Sequence, residues 1–299
     1  MPNLKETRNR IKGVKSTQKI TKAMKMVATA KLKKIRDSLI ALRDYTHEIE
    51  LLISASLSNL SEAEMKEIMS HPLIAKFNSA DSPHLIIFNT SNKGLCGGIN
   101  NQNIKYLKNR ISELQNRKHK ILIYCVGKKG FDYCNSHYKE YLVNKAPVML
   151  DEKNSFNTEN IKNEIANTIT EHGVSASSVM FAQFVSTTTQ KTTEIHLTPI
   201  HASKIHGQNK FPTEYIFDSS KLDLIKNLIP EFMFCKILSS VLENATSEQS
   251  ARMIAMENAN NAAGKLIKNL TLIYNRIRQS NITREISEIV SGVESLKQV

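Results

Sequence analysis

The stretch IKGVKSTQKITKAMKMVATAKLKKIRDSLIALRDYTHEIELLIS, residues 11–54, decides how this chain folds. No glycine or proline interrupts the sequence between Gly13 and Pro72, so one helix can continue through it. Apolar residues recur there at alternating spacings of three and four, which is the seam of a coiled coil. We predict a helix over about residues 4–58, roughly 80 Å long at ~1.5 Å per residue. The apolar seam positions are Ile11, Val14, Ala28, Leu32, Ile35, Leu39, Leu42, Ile49, Ile53 and Leu60.

Polar residues occupy the same register near the N-terminal end of this helix. They are Gln18, Thr21 and Lys25, with Thr46 further along. A seam of this kind buries little apolar surface and gives a helix pair of only moderate stability. We therefore expect the helix to lie inside, or against, a larger assembly.

The C-terminal part of the chain has the same character. From Glu231 to Ser291 there is no proline and a single glycine, Gly264, which costs about 1 kcal/mol relative to alanine inside a helix. Alanine at several seam positions allows another backbone to approach closely. The predicted seam consists of Leu238, Val241, Ala245, Ala255, Ala259, Ala262, Leu266, Leu270, Ile273 and Ile277.

The middle of the chain alternates between short apolar runs and amphipathic stretches. The runs predict strands at His84–Ser91, Lys120–Gly127, Ser178–Thr187 and Thr193–Ile200, and the stretches predict helices at Asn100–Gln115 and Ile161–Glu171. Such alternation is typical of a doubly wound, mostly parallel sheet, with the last two strands as an antiparallel pair.

Together these patterns predict an α/β fold in which an antiparallel coiled coil of long N- and C-terminal helices flanks a doubly wound, mostly parallel α/β domain. We place the N-terminal coiled-coil helix in residues 1–60, the central α/β domain in 61–225 and the C-terminal coiled-coil helix in 226–299.

The positive charge is concentrated at the N-terminus. The chain carries 41 Lys and Arg against 28 Asp and Glu, a net charge of +13, and residues 1–36 hold twelve of the cations with Glu6 as their one acid. The simplest interpretation is a helix face exposed to solvent. So strong an excess of positive charge nevertheless favours an acidic partner: nucleic acid, anionic lipid or an acidic protein surface. Residues 1–36 contain no aromatic residue to stack on bases and no motif of a nucleic-acid-binding fold, so we expect no nucleic-acid partner.

Enzyme chemistry is disfavoured as well. The segment GLCGG, Gly94–Gly98, follows a strand and precedes a helix, but its spacing matches neither common phosphate-binding loop. We interpret Gly94, Gly97 and Gly98 as a structural turn and Cys96 as a structural thiol. All four cysteines are expected to be free, His201 and His206 to be loop residues, and no cofactor or metal to be bound. The open alternative is a stand-alone α/β enzyme with helical dimerisation arms.

Three segments of the chain carry distinctive motifs. The first is IKGVKSTQKITKAMKMVATA at Ile11–Ala30, and the second is SNKGLCGGIN at Ser91–Asn100. The third runs over Arg252–Gly292 and includes RMIAMENANNAA and LIYNRIRQSNITREISEIVSG. Taken together, these segments are similar to the gamma subunit family of F-type ATP synthases. The departures are small: Asn92 and Lys93 stand where the family turn has Asp and Arg, and Val293 stands where its signature has Ala.

The resemblance implies a rotor shaft that turns inside a ring of alternating alpha and beta subunits. Its base would hold the epsilon subunit and rest on the membrane c-ring, while catalysis belongs to beta. It also implies no direct small-molecule substrate and a peripheral location on the cytoplasmic face of a bacterial inner membrane. No run approaches the ~18 apolar residues needed to cross a bilayer, and we expect the basic N-terminus to belong to the mature protein.

The family's functional residues carry over to matching positions near both ends of this sequence. In the family these residues face the beta subunits or join the two helices. The positions here are Met24, Lys25, Arg252, Arg278, Gln279, Thr283 and Glu285.

Overall fold

The computed structural model describes residues 3–58, 60–69, 83–148, 158–174, 176–198 and 220–297. The chain divides into two compact units. We call Met1–Thr29 with Arg252–Val299 the helix-pair unit, and Ala30–Ala251 the sheet unit. This division differs in kind from the three domains that we predict from the sequence, whose boundaries remain a prediction.

The described elements follow one another in a simple order. They are α1 (Leu4–Ser58), α2 (Glu62–Met69), β1 (His84–Asn89), α3 (Ile99–Asn116), β2 (Ile121–Val126), α4 (Lys128–His137), a 3-10 turn (Lys139–Tyr141), α5 (Thr158–Glu171), β3 (Ala176–Phe184), β4 (Gln190–Thr198) and α6 (Lys221–Lys297). The predicted helices and strands are all present and, apart from the start of α6, agree within a few residues at their ends. Helices α2 and α4 are additions that the sequence pattern did not predict.

Helix α1 has the predicted seam, which the structure extends to Leu4 and Thr7. Its threonines are tolerated at buried seam positions because each hydroxyl donates to a carbonyl of its own helix. Thr21 Oγ1 lies 3.0 Å from the Gln18 carbonyl oxygen, and Thr46 Oγ1 lies 2.7 Å from that of Leu42. The hydroxyls of these two seam threonines are therefore satisfied within α1 itself.

Helix α6 begins earlier than predicted and contains Pro230. A proline inside a helix removes a hydrogen bond and costs ~3 kcal/mol or more. Burial of apolar side chains on either side offsets that cost, because Ile229 before the proline and Met233 after it are almost fully inaccessible to solvent. Packing thus overrides the helix boundary that proline suggests.

The predicted seam of α6 is wrong at three positions in the helix-pair unit, whereas Ala255, Ala259, Leu270 and Ile277 are half-buried as predicted. Leu266 and Ile273 are 47% and 44% exposed, and Ala262 is exposed as well. The surrounding sequence is rich in alanine, whose small side chain gains little from burial and so does not define a face. From Met256 onward the buried and half-buried apolar side chains are those of Met256, Ala259, Ala263, Ile267, Leu270, Tyr274 and Ile277.

The sheet unit contains four strands in the order β2-β1-β3-β4. Strand β1 pairs in parallel with β2 and with β3, and β3 pairs antiparallel with β4. Alternate residues of β1 point into two separate cores. Leu85 and Ile87 pack in the core that includes α5 and parts of α1 and α6, whereas Ile86 and Phe88 pack against α3 and α4. The doubly wound, mostly parallel fold class is confirmed.

Candidate coupling surface

The two helices of the helix-pair unit are antiparallel and are joined by polar contacts. Lys25 Nζ lies 2.7 Å from Glu257 Oε1, and Gln18 Nε2 lies 3.5 Å from the carbonyl oxygen of Asn260. The contact nearer the N-terminus of α1, at Gln18, is made to the residue nearer the C-terminus of α6, Asn260, as expected for antiparallel helices. These contacts occupy the positions at which the seam is polar.

Gly264 explains how Gln18 fits between the helices. A β-carbon built at Gly264 would lie 3.3 Å from Gln18 Nε2, tighter than most contacts of real β-carbons. The absence of a side chain at position 264 therefore leaves room for the glutamine amide. This role agrees with the close packing that the sequence predicts at this glycine.

A row of exposed cations runs along α1 beside the seam. Each member follows a seam position by one residue, so the row repeats the alternating spacing of three and four. Five of them line an open groove of about 760 Å³. In the described part of the chain none of the six forms an ion pair. We call this row the basic stripe; it consists of Lys5, Arg8, Lys12, Lys15, Lys19 and Lys22.

The far end of α6 carries exposed apolar side chains. Every described side chain from Ile282 to Val293 is exposed, so no other described element covers this segment. The apolar ones range from 47% exposed at Ile282 to 67% at Ile289 and share one side of the helix. A row of exposed apolar side chains of this size indicates an interaction site. We call it the apolar stripe; it consists of Ile282, Ile286, Ile289, Val290 and Val293.

The residues carried over from the family all lie in the helix-pair unit. Lys25 joins the two helices through Glu257, while Met24 is half-buried and Arg252 is buried. The structure does not bring these three together with the C-terminal group, which lies within two turns of α6. In that group Arg278, Gln279, Thr283 and Glu285 are exposed. Sequence reasoning found the N-terminal charge but missed the periodicity of the basic stripe, which is readable from the spacing of its lysines.

The glycine-containing segment in the sheet unit is a hydrogen-bonded turn. Gly97 has φ +64°, the left-handed region that favours glycine, whereas a β-carbon at Gly94 or Gly98 would contact nothing within 4 Å. Asn100 Nδ2 donates to Ser91 Oγ at 2.6 Å and to Cys96 Sγ at 3.3 Å. Cys96 is 2% exposed. The backbone therefore requires glycine at Gly97 but not at Gly94 or Gly98, and the role of the three as a structural turn remains a prediction.

A network of buried polar side chains fastens α6 to the sheet within the sheet unit. Asn103 Nδ2 donates to the Asn89 carbonyl oxygen at 3.2 Å and to Asn244 Oδ1 at 3.4 Å. Asn244 Oδ1 also accepts the backbone N–H of Ala182 at 3.1 Å. Sequence reasoning missed this network, because nothing in the spacing of asparagines reveals which ones are buried. We call it the polar clamp; it consists of Asn89, Asn103, Thr192, Ser240 and Asn244.

Two titratable groups in the core of the sheet unit, His84 and Cys125, are held neutral. Burial, with a smaller contribution from Arg110, lowers the pKa of His84 to about 4, and its Nε2 lies 3.0 Å from Ser178 Oγ. A hydrogen bond to Cys134, together with burial, raises the pKa of the Cys125 thiol well above its ordinary value. Neutral, buried groups of this kind are suited to packing rather than to proton transfer.

Two kinds of feature are absent from the described residues. They contain no group of three or more His, Cys, Asp or Glu side chains that could hold a metal ion. Among them, no helix combines the length and hydropathy that a bilayer crossing requires. His201 and His206 lie outside the described residues.

Comparison with known sequences gives matches over the whole chain. The family model described as ATP synthase matches residues 3–296. The ATP synthase gamma chain of Sinorhizobium fredii is 34% identical over 298 residues, 99% of this chain and 100% of that protein. The ATP synthase gamma chain of Pelagibacter ubique is also 34% identical, with the same coverage of both chains.

Solved structures with the same fold come from mitochondrial ATP synthases. A chain of the Euglena gracilis OSCP/F1/c-ring assembly aligns with a TM-score of 0.65 and 18% identity, covering 98% of this chain and 94% of that one. A chain of the Tetrahymena thermophila central stalk and c-ring aligns with a TM-score of 0.55 and 23% identity, covering 80% and 99%. At these identities the structural likeness establishes the fold.

Proposed function

The chain belongs to the ATP synthase gamma chain family, and from that premise we propose that it is the central rotating shaft of an F-type ATP synthase. Ion flow through the membrane ring turns the shaft, and the turning helix pair drives each catalytic site in succession through different affinities for ADP, phosphate and ATP. The shaft itself is non-catalytic and binds no cofactor. By the same coupling it regulates ATP hydrolysis and ion flow.

The observation that carries this proposal is the surface of the helix-pair unit. The apolar stripe is covered by no described element, and the basic stripe forms no ion pair with any described residue, so both support partners outside the chain. Neither stripe is a deep pocket that would hold one partner in one orientation. Such a surface suits a shaft whose contacts must be exchanged as it turns.

The small free energy of an exposed ion pair supports exchangeable contacts along the basic stripe. An exposed ion pair contributes ~0–1 kcal/mol, so any one contact with an acidic partner breaks easily. Six cations in one row act together and still distinguish one side of the shaft from the other. Identical catalytic sites around the shaft would therefore face different charge at any moment, which is the asymmetry that sequential catalysis needs.

The proposed partners follow from the same role. The alpha and beta subunits of the catalytic ring surround the helix-pair unit, and the epsilon subunit and the c-ring bind the sheet unit. Met24, Lys25, Arg252, Arg278, Gln279, Thr283 and Glu285 remain our proposed contacts, either to the beta subunits or between the two helices. We place the chain peripherally on the cytoplasmic face of a bacterial inner membrane, with no nucleic-acid partner.

Co-purification tests this function. A tagged chain expressed in its bacterial cell should be recovered from solubilised membranes with alpha and beta subunits in a stoichiometry of one to three to three, measured by quantitative mass spectrometry. Recovery without those subunits would contradict the proposal. Calorimetry of the full chain with ADP and ATP should show no binding, whereas saturable binding would favour a stand-alone nucleotide enzyme.

A further inference from the structure

We propose that Glu257 is a positioning residue of the shaft: with Lys25 it fixes the axial register of α1 against α6, and Lys25 therefore works inside the helix pair rather than against the catalytic ring. The inference rests on the proposed function and names the side-chain pair that preserves coupling. It narrows the family-derived assignment of Lys25, which allows either role.

The apolar seam of the helix-pair unit does not by itself specify a register. Buried positions include Thr7, Thr21, Ala28 and Ala263, whose side chains are small. Small seam residues gain little from one alignment over another that is displaced by a heptad. Polar contacts across a coiled coil are the usual means of choosing between such alignments.

Lys25 and Glu257 are positioned to make that choice. Their 2.7 Å contact joins α1 to α6, and the side chains are 37% and 47% exposed. Exposure of this degree keeps the energy of the pair small, but a displaced alignment would lose the pair altogether. The contact therefore contributes specificity more than stability.

The composition of the surroundings makes Glu257 distinctive. Between Arg252 and Asn281 the sequence of α6 contains no other carboxylate, while it carries four further cations in Lys265, Lys268, Arg276 and Arg278. On α1 the single acid from Leu4 to Thr29 is Glu6, which pairs with Arg10 of its own helix. A shifted register would place Lys25 opposite neutral or basic residues.

A second contact specifies the same register. Gln18 Nε2 lies 3.5 Å from the Asn260 carbonyl oxygen and fits over Gly264, as described above. Two turns of α1 separate Gln18 from Lys25, so the two contacts together define one alignment of the helices. The amide supports the proposal without being part of the test.

Charge reversal with a swapped double variant tests the pair in reconstituted ATP synthase containing this chain. In K25E and in E257K we expect ATP-driven ion uptake per ATP hydrolysed to fall about two- to fivefold, because like charges then face each other. The double variant K25E/E257K should recover most of the lost coupling. As a matched control, E67K reverses a carboxylate of similar exposure that pairs with Lys226 in the sheet unit, and it should keep the wild-type ratio.

The pattern of coupling among these variants decides between the two roles of Lys25. Loss of coupling in K25E alone, with E257K normal and no recovery in the double variant, would show that Lys25 contacts the ring. Unchanged coupling in both single variants would overturn the proposal as well.

A distance measurement on the full chain reads the register without the complex. Spin labels on T17C and N261C, both exposed sites, should give one narrow distance distribution in the wild-type background, broader or shifted distributions in each single reversal, and a narrow one again in the double variant. The four native cysteines are buried and should not compete for the label. An unchanged distribution in both reversals contradicts the register role, even if the chain failed to assemble with the ring.

Discussion

The two units of this molecule are stabilised internally by different kinds of interaction. The sheet unit has two apolar cores, in which residues such as Ile87 and Phe88 are fully buried, and a polar clamp whose side chains are hydrogen-bonded to one another and to the backbone of the sheet. The helix-pair unit has a seam of threonines, alanines and half-buried aliphatic side chains, with polar bridges between its helices. The first arrangement specifies a rigid body, whereas the second leaves stability to be supplied by surroundings.

This difference in packing matches the two tasks that we propose: the sheet unit as the base and the helix-pair unit as the shaft. A base that transmits rotation must not deform, and dense packing gives that rigidity. A shaft inside a ring gains its stability from the ring and must expose surface to it. The exposed stripes, which would be liabilities on an isolated monomer, are then part of the working surface.

The largest expected effect is a core truncation in the sheet unit. Ile87→Ala should lower the free energy of unfolding by about 2–5 kcal/mol, because it leaves a cavity beside fully buried neighbours. The matched variant Ile267→Ala removes a half-buried side chain of the helix-pair unit and should cost about 1 kcal/mol. Denaturant unfolding of the full chain measures both, and equal losses would contradict the contrast between the units.

Acid should weaken the sheet unit through His84. Its pKa is about 4 in the folded chain, below the ordinary value of 6.5, so the unfolded chain binds the proton more readily. Stability is complete above pH 6.5 and is lost as the pH falls toward 4, by up to about 3 kcal/mol. Unfolding measured across this range in wild type and H84Q should converge toward acid; parallel curves would show that His84 contributes nothing.

Breaking the polar clamp should have a somewhat smaller effect. Asn244→Ala removes the acceptor of the Ala182 N–H and one of the two acceptors of the Asn103 amide, at a cost of about 1–3 kcal/mol. The position of α6 on the sheet should then become less well defined, which hydrogen exchange of the Ala182 amide would report. Ser112→Ala on the exposed face of α3 is the control and should change neither quantity. Unaltered hydrogen exchange at the Ala182 amide in Asn244→Ala would mean that the polar clamp does not hold α6 on the sheet.

The smallest effect on stability should accompany a clear effect on function. Reversing Lys12 and Lys15 together in the basic stripe should change the free energy of unfolding by no more than about 0.5 kcal/mol, because both side chains are exposed. ATP-driven ion uptake should nevertheless fall, and the wild-type enzyme should lose part of its coupling at high salt through screening. Normal uptake in the double reversal would remove the basic stripe from the working surface.

Much of this fold was predictable because its signals are periodic. The seam of α1 was found from spacing alone, and the structure extends it to Leu4 and Thr7. The predicted seam of α6 was wrong where alanine removes the contrast between the faces of the helix. Its predicted start was too late because Pro230 resembles a helix boundary. The fold class and the family are confirmed, the latter through motifs rather than through composition.

The site was less predictable, because its contacts join residues that are distant in sequence. The Lys25–Glu257 pair connects positions 232 residues apart, and no local pattern identifies Glu257 as the partner. The polar clamp is hidden for the same reason, since a buried asparagine is indistinguishable from a turn asparagine until the fold is known. The basic stripe, in contrast, could have been predicted, because its cations repeat the spacing of the seam in the sequence.

Direct observation of rotation tests the central claim. A bead attached to S112C on α3, in ATP synthase containing this chain and fixed through its catalytic ring, should turn in one direction and in steps when ATP is added. A stationary bead on complexes that hydrolyse ATP would contradict the account, because catalysis would then proceed without the shaft turning.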